Sequence, residues 1–251
     1  MTSGPSCAFC GRSGIKMSQE HVFPQWLSRN GSRRAGGDYI MERGAKTITT
    51  PLIEVTTKRV CKDCNTGWLS RIETGAKAVL EPLLDDAATS ITEVDRWIIA
   101  RWFTKTILTA QLAIFSRSSV GIASDQSYRN FYMRPFPPDN AIILISAYVG
   151  PIPPIDFKMG AVTAQGSRGF RAFFHFHRVV LTFFSADPDN QINFPWPRDF
   201  HTACRLLWPP RRGFFDLDND PTLPCSWPPP CALNEAAIKE YQRRMKEAVE
   251  E

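Results

Sequence analysis

The sequence predicts an α+β protein: a small N-terminal module stapled by zinc, followed by a domain in which a long helix packs on an antiparallel sheet. Three observations predict it. Four of the seven cysteines fall into two C-x-x-C pairs, Cys7 with Cys10 and Cys61 with Cys64. The stretch TEVDRWIIARWFTKTILTAQLAIF, residues 92–115, repeats apolar groups at helical spacing. Segments 140–150, 157–165 and 170–186 are rich in Ile, Val, Phe and Tyr and are bounded by Pro, Gly, Asp and Asn, which is strand composition.

The module is assigned to residues 1–90. Seven cysteines make a poor disulfide framework, whereas two C-x-x-C pairs supply four thiolates. Such a set suits a tetrahedral structural zinc ion with no coordination position left open for chemistry. Gly11 and Asn65 follow the two pairs, as expected where the backbone curls around sulfur. Trp26 and Trp68 are expected in the small core of the module. KAVLEPLL, residues 77–84, reads as a helix end interrupted by Pro82, and the polar DDAATS after it sets the boundary near residue 90.

Residues 91–251 form the second domain. Thr92 is an N-cap for the long helix. The strands come next, and residues 193–230, crowded with proline and aromatic residues, read as an ordered irregular wrap. ALNEAAIKEYQRRMKEAVEE, at the end, has the composition of an exposed terminal helix. Cys204, Cys225 and Cys231 read as core or loop thiols. His175 and His177, two apart on a strand, are expected to face the same side as core or interface histidines, and His201 receives no role.

The net charge is +5, but residues 1–80 hold 12 Lys/Arg against 6 Asp/Glu, and the rest hold 18 against 19. The positive charge is thus concentrated in the module, where it favours a polyanion such as nucleic acid; a solvated basic surface is the alternative. No apolar run is long enough for a membrane span, and MTSGPSCAFCG lacks the organisation of a signal peptide. The expectation is a soluble, cytoplasmic protein with no membrane partner.

His21 is the only histidine in the first 170 residues, and it follows Glu20 in SQEHVFPQWL. If both cysteine pairs meet at one metal, residues 11–60 close into a loop that brings Glu20 and His21 toward Asn65. Phosphodiester hydrolysis needs a base and a cation. His21 can be the base, while Glu20 and Asn65 offer hard oxygens to Mg²⁺ or Mn²⁺. Arg29, Arg33 and Arg34, with Arg43, Lys46, Lys58, Arg59 and Lys62, can neutralise phosphates.

The segments C-A-F-C-G, S-Q-E-H-V-F-P and V-C-K-D-C-N-T-G-W together resemble the zinc-containing branch of the HNH endonucleases, the His-Me finger or ββα-metal nucleases. The resemblance covers residue 7 to about residue 80. It implies that His21 is the general base, that Glu20 and Asn65 hold a catalytic Mg²⁺ or Mn²⁺, and that Cys7, Cys10, Cys61 and Cys64 bind structural zinc. It implies nucleic acid as substrate, with DNA expected. The region after the module resembles the long Trp- and Lys-rich helices found beyond it in many bacterial proteins. The helix NTGWLSRIETGAKAVL has no second histidine; Asn65 takes its place, and Glu73 is a further acidic candidate. A catalytically inactive binding module, a zinc-stapled interaction protein and an enzyme acting on a small phosphorylated or carbonyl substrate stay open. So does a homodimer.

Overall fold

The structure is a computed structural model, describing residues 5–29, 38–43, 46–51, 54–85, 89–114, 124–151, 155–164, 167–186, 203–209, 224–229, 231–240 and 243. The chain divides into two compact units, Met1–Lys77 with Arg101–Pro137, and Ala78–Ala100 with Pro138–Glu251. The residue-90 boundary expected from sequence falls in the first segment of the second unit.

In the first unit, strand β1 (Met17–His21) follows the first cysteine pair, and Pro24 precedes the short helix α1 (Trp26–Arg29). Strands β2 (Asp38–Arg43) and β3 (Lys46–Pro51) form a hairpin. Strand β4 (Thr56–Cys61) returns antiparallel to β1, with Met17 opposite Cys61 and His21 opposite Thr56, and the register shifts between Ser18 and Glu20. Helix α2 (Lys62–Cys64) opens on the second cysteine pair and runs into a π-helical turn, Asn65–Leu69, kinked at Gly67. Helix α3 (Ser70–Leu84) continues from it and contains Pro82.

Strand β5 (Thr89–Ile91) leads into helix α4 (Glu93–Ile114). Thr92 caps α4 as expected: Asp95 Oδ2 accepts from Thr92 N and Oγ1, while Thr92 Oγ1 accepts from Asp95 N. From Ile99 to Gln111 nearly every α4 side chain is buried, and polar members bond back to the helix, as Thr106 and Thr109 do to Trp102 O and Lys105 O. Helix α5 (Asp125–Met133), capped by Ser124, belongs to the first unit and buries Tyr128 and Phe131.

The second unit is built on five antiparallel strands: β6 (Ala141–Ala147), β7 (Asp156–Ala164), β8 (Ser167–Phe176), β9 (Val179–Ala186) and β10 (Cys204–Trp208). Their order is β10-β6-β9-β8-β7. Strand β11 (Cys225–Trp227) pairs separately with β5.

Two sequence expectations are corrected here. Residues 170–186 are two strands joined at His177–Arg178; His177 takes φ 53°, so it occupies a tight turn and does not share a strand face with His175. Residues 193–230 contain two short strands, because β6 and β5 offer free edges that β10 and β11 complete; the rest of that wrap, His201 included, lies outside the described residues. The terminal helix is described over 235–240, where Ile238, with Leu233, packs on the sheet beside Leu144, Tyr148 and Val180. Among the described residues no helix is long and apolar enough to cross a membrane.

Candidate metal centre and the strand–helix junction

Cys7, Cys10, Cys61 and Cys64 converge, with their Sγ atoms within 4.8 Å of one another. A Zn–S bond of about 2.3 Å sets tetrahedral sulfurs roughly 3.8 Å apart; Cys10 and Cys61 Sγ are separated by 3.8 Å. Cys61 N donates to Cys7 Sγ and Cys64 N to Cys61 Sγ, both at 3.4 Å, so each turn directs amide dipoles at sulfur. Burial pushes the Cys7 and Cys64 thiols up. At Cys10 burial acts in the same sense, but the Arg12 guanidinium prevails and holds the thiol down at about 6. A cation bound by the four converging sulfurs would offset the burial that opposes deprotonation of Cys7 and Cys64. The cluster can hold a structural metal such as zinc.

The centre is packed from the side by residues far along the chain. Phe9, between the first two cysteines, is fully buried, edge-on to Trp68 at 5.4 Å and to Tyr128 at 5.6 Å. Gly11 stands at φ +75°, and a Cβ there would lie 1.3 Å from Arg129 Nη1 of α5. Glycine therefore serves both the turn and the approach of that guanidinium. Trp26 belongs to the unit's core, against Trp102 at 6.1 Å, whereas Trp68 is half-buried between Phe9, Phe131 and Tyr132.

The helical segment after the second cysteine pair is fastened to β1 by Asn65. Its Nδ2 donates to Ser18 Oγ at 3.1 Å and to Gln19 O at 3.3 Å. His21 ends β1 half-buried, and among the described residues no hydrogen bond or ion pair holds its ring. The acid-His strand and the asparagine turn are thus joined.

Glu20 has a different environment from the one expected of an ion ligand. It is 4 % exposed, and its Oε1 lies 2.6 Å from Nζ of Lys105 in α4, which is 2.6 Å from Oε1 of Glu73 in α3. Burial raises the Glu20 pKa; Lys105 opposes the rise and Glu73 adds to it. Burial alone would strip the proton from the fully buried Lys105, yet the two carboxylates outweigh it and hold the ammonium charged. With its Oε1 on an ammonium, Glu20 is not an open donor for a divalent ion, whereas the bonds of Asn65 to β1 use Nδ2 and not Oδ1. The described residues contain one cluster of three or more His, Cys, Asp or Glu donors, the four cysteines.

Of the basic residues expected at phosphates, Lys58 and Lys62 are exposed and Arg59 half-buried, all on β4 and α2 next to the cysteines. Arg33 and Arg34, and the side chains of Arg29, Arg43 and Lys46, lie outside the described residues. The structure adds three that sequence reading did not single out: Arg12, paired with Asp63 at 2.7 Å, Lys16, whose carbonyl accepts from Lys62 N, and Arg129 over Gly11. Lys105 also escaped notice, since its spacing fits an apolar helix and only its buried partners reveal it. No protein-family model, curated protein or solved structure matches the chain.

Proposed function

We propose that the first unit is an HNH-type nucleic-acid hydrolase in which His21 is the general base toward a phosphodiester, with DNA the expected polymer. The observation that carries this reading is the junction at Asn65, which ties the helical turn opened by Cys64 to the strand that ends at His21. The order of parts, β1 antiparallel to β4 and then a helix springing from the second cysteine pair, supports it. So do the basic residues Arg12, Lys16, Lys58, Arg59 and Lys62, carried on or beside the segments that bear the cysteines, and Arg129, packed against Gly11, all of which suit phosphates.

In the proposed reaction His21 takes a proton from water as the oxygen attacks phosphorus, and the P–O3′ bond breaks to leave a 5′-phosphate and a 3′-oxyanion, which takes a proton from a second water to become the 3′-hydroxyl. These basic residues bind the flanking phosphates and orient the strand. Bound Mg²⁺ or Mn²⁺ would supply charge stabilisation at the phosphate and leaving oxygen. Glu20, engaged by Lys105, does not fit the ligand role.

A second reading, a nucleic-acid-binding module without cleavage, is favoured by the engagement of Glu20 with Lys105. Incubating plasmid and single-stranded DNA with the metal-loaded protein and with His21→Ala, with Mg²⁺ or Mn²⁺ or with chelator, separates the two. Cleavage lost in His21→Ala supports the hydrolase; retention of both DNAs on the protein with no cutting supports the binding module.

A further inference from the structure

We propose that the Glu20–Glu73 pair is a cation site filled by the chain itself: the Lys105 ammonium occupies the position that a divalent ion on Glu20 would take. Glu20 then acts as a positioning residue that anchors β1 beneath His21, and any ion used in hydrolysis is held elsewhere. The inference deepens the hydrolase reading, on which it rests for the meaning of His21, but its geometry stands apart from activity.

Three features carry it. The ammonium is centred between the carboxylates, at 2.6 Å from an oxygen of each, within charge-assisted hydrogen-bond distance. The three residues come from β1, α3 and α4, so the ammonium ties together three elements that no local sequence signal joins. The site is closed: Lys105 is 0 % exposed and Glu20 4 %, with Glu73 the only member that reaches water, at 27 %. A hydrated divalent ion prefers several oxygen ligands and sheds its waters reluctantly. It would have to displace an ammonium that loses no entropy of association, because it is part of the fold.

The charge balance gives the site a distinctive response to mutation. Two carboxylates and one ammonium leave a formal charge of −1 when all are ionised. Removing the ammonium leaves two carboxylates facing each other, a pair that shares a proton until a divalent cation displaces it. Lys105→Met should therefore convert an internal salt bridge into an ion site.

The test is a Mn²⁺ titration of the full-length protein loaded at its cysteines, without nucleic acid, followed by the loss of the free-ion signal in electron paramagnetic resonance. Wild type and Glu20→Gln should bind Mn²⁺ identically. Lys105→Met should gain one Mn²⁺ per chain, bound at least tenfold more tightly than any in wild type, and Glu20→Gln/Lys105→Met should lose it. A wild-type Mn²⁺ that weakens tenfold or more in Glu20→Gln overturns the proposal, as does a folded Lys105→Met that gains no ion. If Lys105→Met does not fold, the comparison of wild type with Glu20→Gln decides alone. Because nothing is cleaved in this experiment, absence of nuclease activity cannot imitate either result.

Discussion

Replacing Lys105 by Met should strongly destabilise the first unit, and the structure sets the size of the loss. Lys105 is fully buried and meets two carboxylates at 2.6 Å. At an effective dielectric near 20 each contact is worth about 6 kcal/mol of gross attraction. Desolvation of the ions, several kcal/mol each, offsets most of it. Deleting the cation removes the attraction and leaves the desolvation cost of Glu20 in place, a loss of about 3–5 kcal/mol. Glu20→Gln keeps the Lys105–Glu73 pair and a hydrogen-bond acceptor for Nζ, so it should cost about 1–2 kcal/mol. The double variant should recover much of the loss of Lys105→Met, because the remaining carboxylate, Glu73, is partly exposed and can hydrate. Urea unfolding of the four proteins, loaded at the cysteines and followed by far-ultraviolet circular dichroism, measures all three differences. A Lys105→Met loss below about 1 kcal/mol, or a double variant less stable than Lys105→Met, would refute this reasoning.

Other outcomes come from the same geometry. Metal analysis of the purified protein should find one ion per chain, absent in Cys61→Ser, and chelation should lower the melting temperature of wild type but not of that variant. His175 is buried with Nε2 lacking a partner among the described residues, and burial lowers its pKa from 6.5 to about 4, against the pull of Asp156. The unfolded chain therefore takes up the proton first as pH falls. Stability should be full above about pH 6.5 and decline toward pH 4 by up to ~3 kcal/mol, while His175→Phe, which keeps the edge contact with Tyr148, should flatten that decline in pH-dependent urea titrations. Nucleic-acid affinity should fall linearly on a log–log salt plot, and Lys58→Ala or Lys62→Ala should each reduce the slope by about 1; an unchanged slope in both would remove those lysines from the interface.

The sequence was legible where local spacing encodes structure. The cysteine pairs announced their convergence because a C-x-x-C turn is formed by adjacent residues, and α4 announced itself through Thr92, its acidic first turn and its apolar repeat. The β8–β9 hairpin was hidden because its turn residues, His177 and Arg178, are not the Gly or Asn that such turns favour. Strands β10 and β11 were masked by the prolines around them, and their pairing depends on sheet edges distant in sequence. At the candidate site, Asn65 and His21 could be named, and Glu73 was noticed, but the partner of Glu20 could not: Lys105 sits in an apolar helix, 32 residues from Glu73, and nothing nearby marks it as buried between acids. The packing of α5 on Phe9 and Gly11 is likewise long-range, so Arg129 carried no signal.

The general-base role of His21 is tested most directly by chemical rescue. Plasmid and single-stranded DNA would be incubated with metal-loaded wild type and His21→Gly, in the presence of Mg²⁺ or Mn²⁺, with and without imidazole, after both proteins are shown to be folded. The account predicts that wild type cuts, that His21→Gly cuts at least ~100-fold more slowly, and that imidazole restores part of the lost rate. Intact DNA after incubation with folded, metal-loaded wild type, or a His21→Gly variant that cuts at the wild-type rate, would contradict it.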